Sequence, residues 1–278
     1  MKYDVYGIGN ALVDKEFEIE DDFLKEFSIE KGMMTLVDRE QQDRLLSELT
    51  QRYGVKARSG GGSAANTLYA ISQFGGSAFY SCRVANDETG DFFLRQLGDH
   101  NIQTNKNSQR VEGVSGRCIV MVTPDAERTM HTYLGVSNSI SIAEMDFEAA
   151  SNCEYIYLEG YLVTSDTARS AIIEMKDFAK SNGIKTAMTF SDPSMLEYFN
   201  DNVNEVLSDG VDLLFCNLQE AQLWSGEVHL DKAVEALKTI AKQFAVTTGA
   251  DGSLLWDGEQ LMNIAPLRVP AVDTNGAG

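Results

Sequence analysis

Two kinds of segment alternate along the chain. Short apolar runs of strand length occur at YDVYGIG (3–9), EYIYLEG (154–160), IKTAMTF (184–190) and VDLLFC (211–216). Between them, apolar residues recur at helical spacing. In SDTARSAIIEMKDFAKSNG (165–183), Ala168, Ile172, Met175 and Ala179 share one face, and Gly183 stands where a helix would end. A further helix is expected over DKAVEALKTIAKQF (231–244), followed by a strand AVTTG (245–249). Strand–helix–strand alternation predicts an α/β fold, a mostly parallel sheet with helices on both faces.

Two stretches break this rhythm. KEFEIEDDFLKEF and KGMMTLV lie between the first strand and the next clear helix, and GRCIVMVTPDAERTMHTYLG (116–135) holds two strand-like runs joined by PDAE. They read as strands of a smaller second sheet, inserted over about 15–37 and 116–134. No repeat and no Pro/Gly/Ser linker divides the chain, so residues 1–278 are expected to form one unit carrying these insertions.

Charge narrows the partners. With 42 acidic and 23 basic side chains the net charge is -19, which repels nucleic acid. A small anion can bind only where backbone dipoles or a few cations focus positive potential. Cys82, Cys118, Cys153 and Cys216 have no metal-type spacing and read as reduced thiols of a cytoplasmic protein. The start MKYDVYGIGN lacks a signal-peptide core, and no apolar stretch approaches the ~18 residues of a membrane span.

Candidate chemistry clusters at strand ends. In SGGGSAAN, Gly60, Gly61 and Gly62 precede a helix starting near Ser63, where free N–H groups and the helix dipole attract oxygens; Asn66 on the first turn offers a donor and an acceptor. The alternative is a plain glycine turn with a serine N-cap. Gly60, Gly62 and Ala65 also fit the dinucleotide pattern G-x-G-x-x-A, but YGVKARS before them is polar and does not read as the required strand. GNALVD closes the first strand and ends on Asp14, a possible acceptor for two neighbouring hydroxyls or a turn residue. Asn217 and Glu220 in NLQE fit either a capping box or a pair ordering water around Mg²⁺. Thr248, Gly249 and Gly252 fit either a hairpin turn or a nucleotide-contacting loop. There is no Walker A lysine and no G-x-S-x-G elbow, and His100, His131 and His229 have no metal-ligand partner at helical spacing. The ending VPAVDTNGAG reads as a tight turn leading into another element.

The order GNALVD, GGSAAN, NLQE, TTGADG, DTNGAG resembles the ribokinase-like family of carbohydrate and nucleoside kinases over the whole chain. The resemblance implies a large α/β domain with a small β-sheet lid. It implies that Asp14, Gly61, Gly62 and Asn66 hold sugar hydroxyls, with the lid residue Arg128 near the phosphates. Asn217 and Glu220 would order Mg²⁺ and phosphates, Thr248, Gly249, Gly252 and Asp273 would contact nucleotide, and Gly276, Ala277 and Gly278 would form an anion hole. In the family an Asp, the catalytic base, follows this last turn at once. The chain is therefore expected to be an incomplete stretch, with the base after Gly278. ATP and Mg²⁺ are the implied cofactors, with K⁺ as in some members, and a homodimer through the lid is the implied assembly. The expected reaction is transfer of the γ-phosphoryl group to the exocyclic hydroxymethyl of a furanose sugar or nucleoside. GNALVD and GGSAAN are similar to adenosine kinase rather than ribokinase, whose motifs carry Asn before the Asp and a Lys-Gly pair. A fructokinase-like sugar kinase and a non-catalytic binder of the same fold are the alternatives.

Overall fold

The computed structural model describes residues 2–105 and 110–267. In chain order, the strands among these residues are β1 (Tyr3–Ile8), β2 (Leu12–Glu18), β3 (Met34–Leu36), β4 (Ala57–Gly61), β5 (Ala78–Ser81), β6 (Ile102–Thr104) and β7 (Gly116–Val122). They continue as β8 (Arg128–Tyr133), β9 (Cys153–Leu158), β10 (Lys185–Thr189), β11 (Val211–Asn217), β12 (Ala241–Thr247), β13 (Ser253–Trp256) and β14 (Leu261–Ile264).

The large sheet has the order β14-β13-β12-β11-β10-β9-β1-β5-β6. It is parallel from β12 to β6, and β13 and β14 add an antiparallel edge. The central strands are apolar because both faces are buried. One face packs Tyr6, Ile156, Met188 and Leu214 against helices that include Asp166–Asn182 and Leu230–Leu237. The other packs Tyr80 and Tyr157 against Leu68 of the helix Ser63–Gln73 and Phe93 of the helix Glu88–Asp99.

The small sheet has the order β3-β8-β7-β2-β4. It is wider than the two predicted segments: β2 begins at Leu12, and the polar run before the glycines supplies β4. The sequence reading of YGVKARS as wholly non-strand is thus corrected. Arg58 and Ser59 disguise this strand because β4 is an edge strand, where polar side chains are tolerated. β4 pairs antiparallel with β2, so the glycine run still does not sit in the parallel βαβ unit of a dinucleotide site. Two further expectations are revised. The stretch DDFLKE is a helix (Asp21–Glu26), with Asp21 and Asp22 in its first turn. The helix expected over 231–244 ends at Leu237, and Ala241–Thr247 is strand β12, because Phe244 and Val246 are buried by parallel pairing with β11.

Among the described residues, the points where the chain enters or leaves the small sheet at Leu12, Gly61, Gly116 and Leu134 lie side by side. Leu12 pairs with Gly61 on one side and Gly116 on the other, and Gly116 also packs against the Leu134 carbonyl. The small sheet's outer face has its own core: Phe17, Ile119 and Met121 pack against Phe23, Leu45 and Leu49 from its two covering helices. Leu49 is fully buried there. Leu49→Ala should cost about 2–5 kcal/mol, concentrated in this sheet. Hydrogen exchange should then show amides of β2 and β7 losing protection while those of β9 and β10 keep theirs; uniform loss across both sheets would mean the two fold as one cooperative unit.

Candidate active site

In an open α/β sheet, ligands bind beyond the carboxyl ends of the strands where the order reverses. Here the reversal falls at β1, with β5 on one side and β9 on the other. A cavity of about 610 Å³ opens over the ends of β1, β9, β10 and β11 and is roofed by the inner face of the small sheet. That volume suits a small organic ligand.

Asp14, Gly62, Asn66 and Arg128 all line this cavity, although they come from distant parts of the chain. Gly61 lies directly behind: a Cβ on it would stand 2.2 Å from Asp14 Oδ2, so only glycine lets the carboxylate take this position. Burial pushes the Asp14 carboxyl up to about 7; the Arg128 guanidinium opposes the rise and Glu16 adds to it. Gly62, and not Ser63, is the N-cap of the helix Ser63–Gln73. Its φ of 101° is one that side chains disfavour, and a Cβ there would meet the Asn10 carbonyl at 2.4 Å. No side chain of its own turn caps this helix. Asn66 sits exposed on the first turn.

The acceptor that the helix start lacks comes from Glu159, a residue the sequence reading left unmarked at the end of β9. It is 1% exposed. Its Oε2 accepts from the Ala64 N–H at 3.4 Å and from the Asn10 N–H at 2.9 Å. Burial pushes this carboxyl up to about 7, against the lowering effect of the hydrogen bonds from Asn10 and Ala64. Ser137 donates to Asn10 Oδ1, and Tyr80 donates to the Asn10 carbonyl. The available signal was an acid closing an otherwise apolar strand, YIYLE.

Asn217 and Glu220 form a complete capping box: Glu220 N–H donates to Asn217 Oδ1 at 2.8 Å, and Asn217 N–H donates to Glu220 Oε2 at 2.8 Å. Glu220 is buried, and burial pushes its carboxyl up to about 7, opposed by the Asn217 N–H and reinforced by Asp192. Asp192, also unmarked in the sequence, caps the helix Pro193–Tyr198. Among the described residues no group of three His, Cys, Asp or Glu side chains could hold a metal directly. With no direct ligand cluster among the described residues, a hard divalent cation here would have to keep its waters and take other ligands from a bound phosphate.

Thr248 follows β12, beside Asn217 at the end of β11. Its N–H and hydroxyl both donate to the Gly252 carbonyl, at 2.8 and 2.9 Å. Gly249 lies in the single helical turn that joins β12 to β13, so this loop closes a hairpin. Asp273, Gly276, Ala277 and Gly278 lie outside the described residues. No helix among the described residues is long and apolar enough to cross a membrane.

Known proteins share this architecture. The chain is 24% identical to guanosine-inosine kinase of Escherichia coli (strain K12) over 229 residues, which are 80% of this chain and 53% of that protein. It thus spans about half the length of the curated relative it matches there. It is 23% identical to adenosine kinase of Saccharomyces cerevisiae over 290 residues, covering 98% of this chain and 84% of that protein. The solved structure of adenosine kinase from Sinorhizobium meliloti superposes with a TM-score of 0.92 at 33% identity, covering 100% of this chain and 84% of that one. Residues 33–278 match the pfkB family carbohydrate kinases, and the chain belongs to that family.

Proposed function

We propose that the chain carries the acceptor site of an ATP-dependent kinase that phosphorylates the exocyclic hydroxymethyl of a nucleoside, adenosine-like in preference to a free sugar. The observation that carries this is the Asp14 carboxylate seated on Gly61, lining a cavity with a polar end at Asn66, Arg128 and Glu159 and an apolar wall of Met34, Leu36, Met130 and Phe215. An ionised carboxylate accepts from two ribose hydroxyls, with Asn66 and the Gly62 turn beside it. Met34, Leu36 and Met130 of the small sheet, with Phe215, offer a surface for a flat base that a free sugar leaves uncovered. Kinship with adenosine and guanosine-inosine kinases points the same way.

In this reading, oxygen of the hydroxymethyl attacks the γ-phosphorus, the bond to the bridging oxygen breaks, and ADP leaves. Mg²⁺, when bound with ATP, offsets phosphate charge. The Asn217–Glu220 pair orders its waters, the Thr248–Gly252 loop flanks the nucleotide, and Arg128 supplies a cation from the small sheet. Gly276, Ala277 and Gly278 would offer N–H groups to the transferring group, and the hydroxyl proton passes to a general base. Catalysis is then mostly positioning and charge stabilisation.

Three outcomes test the proposal. On the full gene product with ATP, a panel of nucleosides and sugars read by ADP release should rank adenosine or another purine nucleoside above ribose and fructose. Faster turnover of fructose would favour the sugar-kinase reading, and tight nucleoside binding without turnover a binding protein. Asp14→Ala should raise KM and lower kcat/KM by about 10–100-fold, the loss of a charged acceptor worth ~1.5–3 kcal/mol; unchanged kcat/KM removes Asp14 from the site.

The third outcome is a pH dependence of opposite sign for the free and bound protein. Asp14, Glu159 and Glu220 titrate near 7 when folded, against about 4 unfolded. Between those values the folded state binds more protons, so their contribution to the stability of the free protein falls as pH rises from about 4 to 7 and is level above. Nucleoside binding selects ionised Asp14, so affinity should climb through the same range. Calorimetry from pH 5 to 8 on the parent and Asp14→Asn checks this, the variant losing the climb.

A further inference from the structure

Ser191 has two features that glycine would remove. Its φ is 74°, in the left-handed region that a side chain disfavours. Its hydroxyl is shielded from solvent and has no hydrogen-bond partner among the described residues, although its N–H donates to Thr189 Oγ1 at 3.1 Å. Buried hydroxyls nearly always pair. Either feature alone could be an accident of a loop. Both fall on one residue, and that residue lines the cavity that Asp14 and Glu159 line.

Its place in the sheet says which part of the reaction it serves. β10 lies between β9 and β11, so the segment leaving it runs between Glu159, at the end of β9, and Asn217, at the end of β11. The next residue, Asp192, reaches Glu220 through its charge and lies 3.5 Å from the Tyr161 hydroxyl. Ser191 therefore stands on the boundary between the acceptor end of the cavity and the pair assigned above to Mg²⁺ and phosphates. Glu159, Asp192 and Glu220 on the large-sheet side of this boundary are carboxylates, while Arg128 lines the cavity from the small sheet. Phosphate oxygens need donors, and the hydroxyl is one without a partner.

Resting on the kinase reading above, we propose that Ser191 is a binding residue for the phosphoryl donor. Its hydroxyl turns about χ1 to donate a hydrogen bond to a charged phosphate oxygen of ATP. A serine rotamer change is fast and small, so the residue holds its backbone ready and gains its partner only when nucleotide enters.

Ser191→Gly and Ser191→Ala on the full gene product separate this from a structural role. Glycine relieves the backbone and removes the hydroxyl, so Tm without ligand should rise by about 2–4 °C. Alanine removes the hydroxyl and keeps the backbone conformation, so it should gain less. Both should raise the calorimetric Kd for MgATP by about 10–100-fold, one hydrogen bond to a charged group, and leave the Kd for adenosine within about twofold. MgATP affinity unchanged in both variants overturns the proposal, as does an equal loss of adenosine affinity, which would mark a collapsed site. A parent protein that binds adenosine but no MgATP overturns the kinase reading itself, and the role of Ser191 with it.

Discussion

The buried carboxylate of Glu159 is the junction on which the site is assembled. It ties together three elements at one point: the end of β1 through Asn10, the start of the helix Ser63–Gln73 through Ala64, and the end of β9, which it follows. Each bond satisfies an N–H that would otherwise be orphaned in an apolar interior, where an unpaired polar group costs about 1–3 kcal/mol. The cluster also sets the backbone of Gly9–Asn10–Ala11, from which β2 and Asp14 follow directly. Ser137 and Tyr80 close the arrangement by bonding the remaining groups of Asn10 and Ala11. Removing the carboxylate would release the glycine turn and the joint between the sheets together.

The same neighbourhood concentrates acid. Asp14, Glu159 and Glu220 all have carboxyls pushed up to about 7 by burial, in a chain of net charge -19. If a highly charged phosphate donor binds here as proposed, it needs compensation. Arg128 from the small sheet, backbone N–H groups at helix starts and a metal that travels with the nucleotide are the available sources. The electrostatics of the chain would thus favour a donor that arrives with its cation over one that arrives bare.

Much of this was legible in the sequence, for local reasons. Asp14, Gly62 and Asn66 stand in short motifs whose residue types are dictated by backbone conformation and hydrogen bonding within a few positions. Asn217 and Glu220 were legible as a cap for the same reason, and the cap is what they form. Glu159 and Ser191 were not, because their significance comes from neighbours far along the chain. Asn10 and Glu159 are 149 residues apart, and the isolation of the Ser191 hydroxyl exists only once β9, β10 and β11 lie side by side. The strand β4 and the true end of the helix at Leu237 were hidden differently. An edge strand need not be apolar, and a few buried apolar residues fit a strand or a helix equally well until a partner strand decides.

The bundling of the inter-sheet passages at Leu12, Gly61, Gly116 and Leu134 has a mechanical meaning. A body that swings about a pivot displaces its far rim most and its near parts least. Asp14 lies two residues from Leu12, whereas Met34 and Leu36 belong to the far edge strand β3. If Asp14 grips a sugar as proposed, any rocking of the small sheet would leave that grip almost unmoved while opening or tightening the wall of Met34 and Leu36 beside a base. Such a machine would be strict about the ribose and forgiving about what is attached to it.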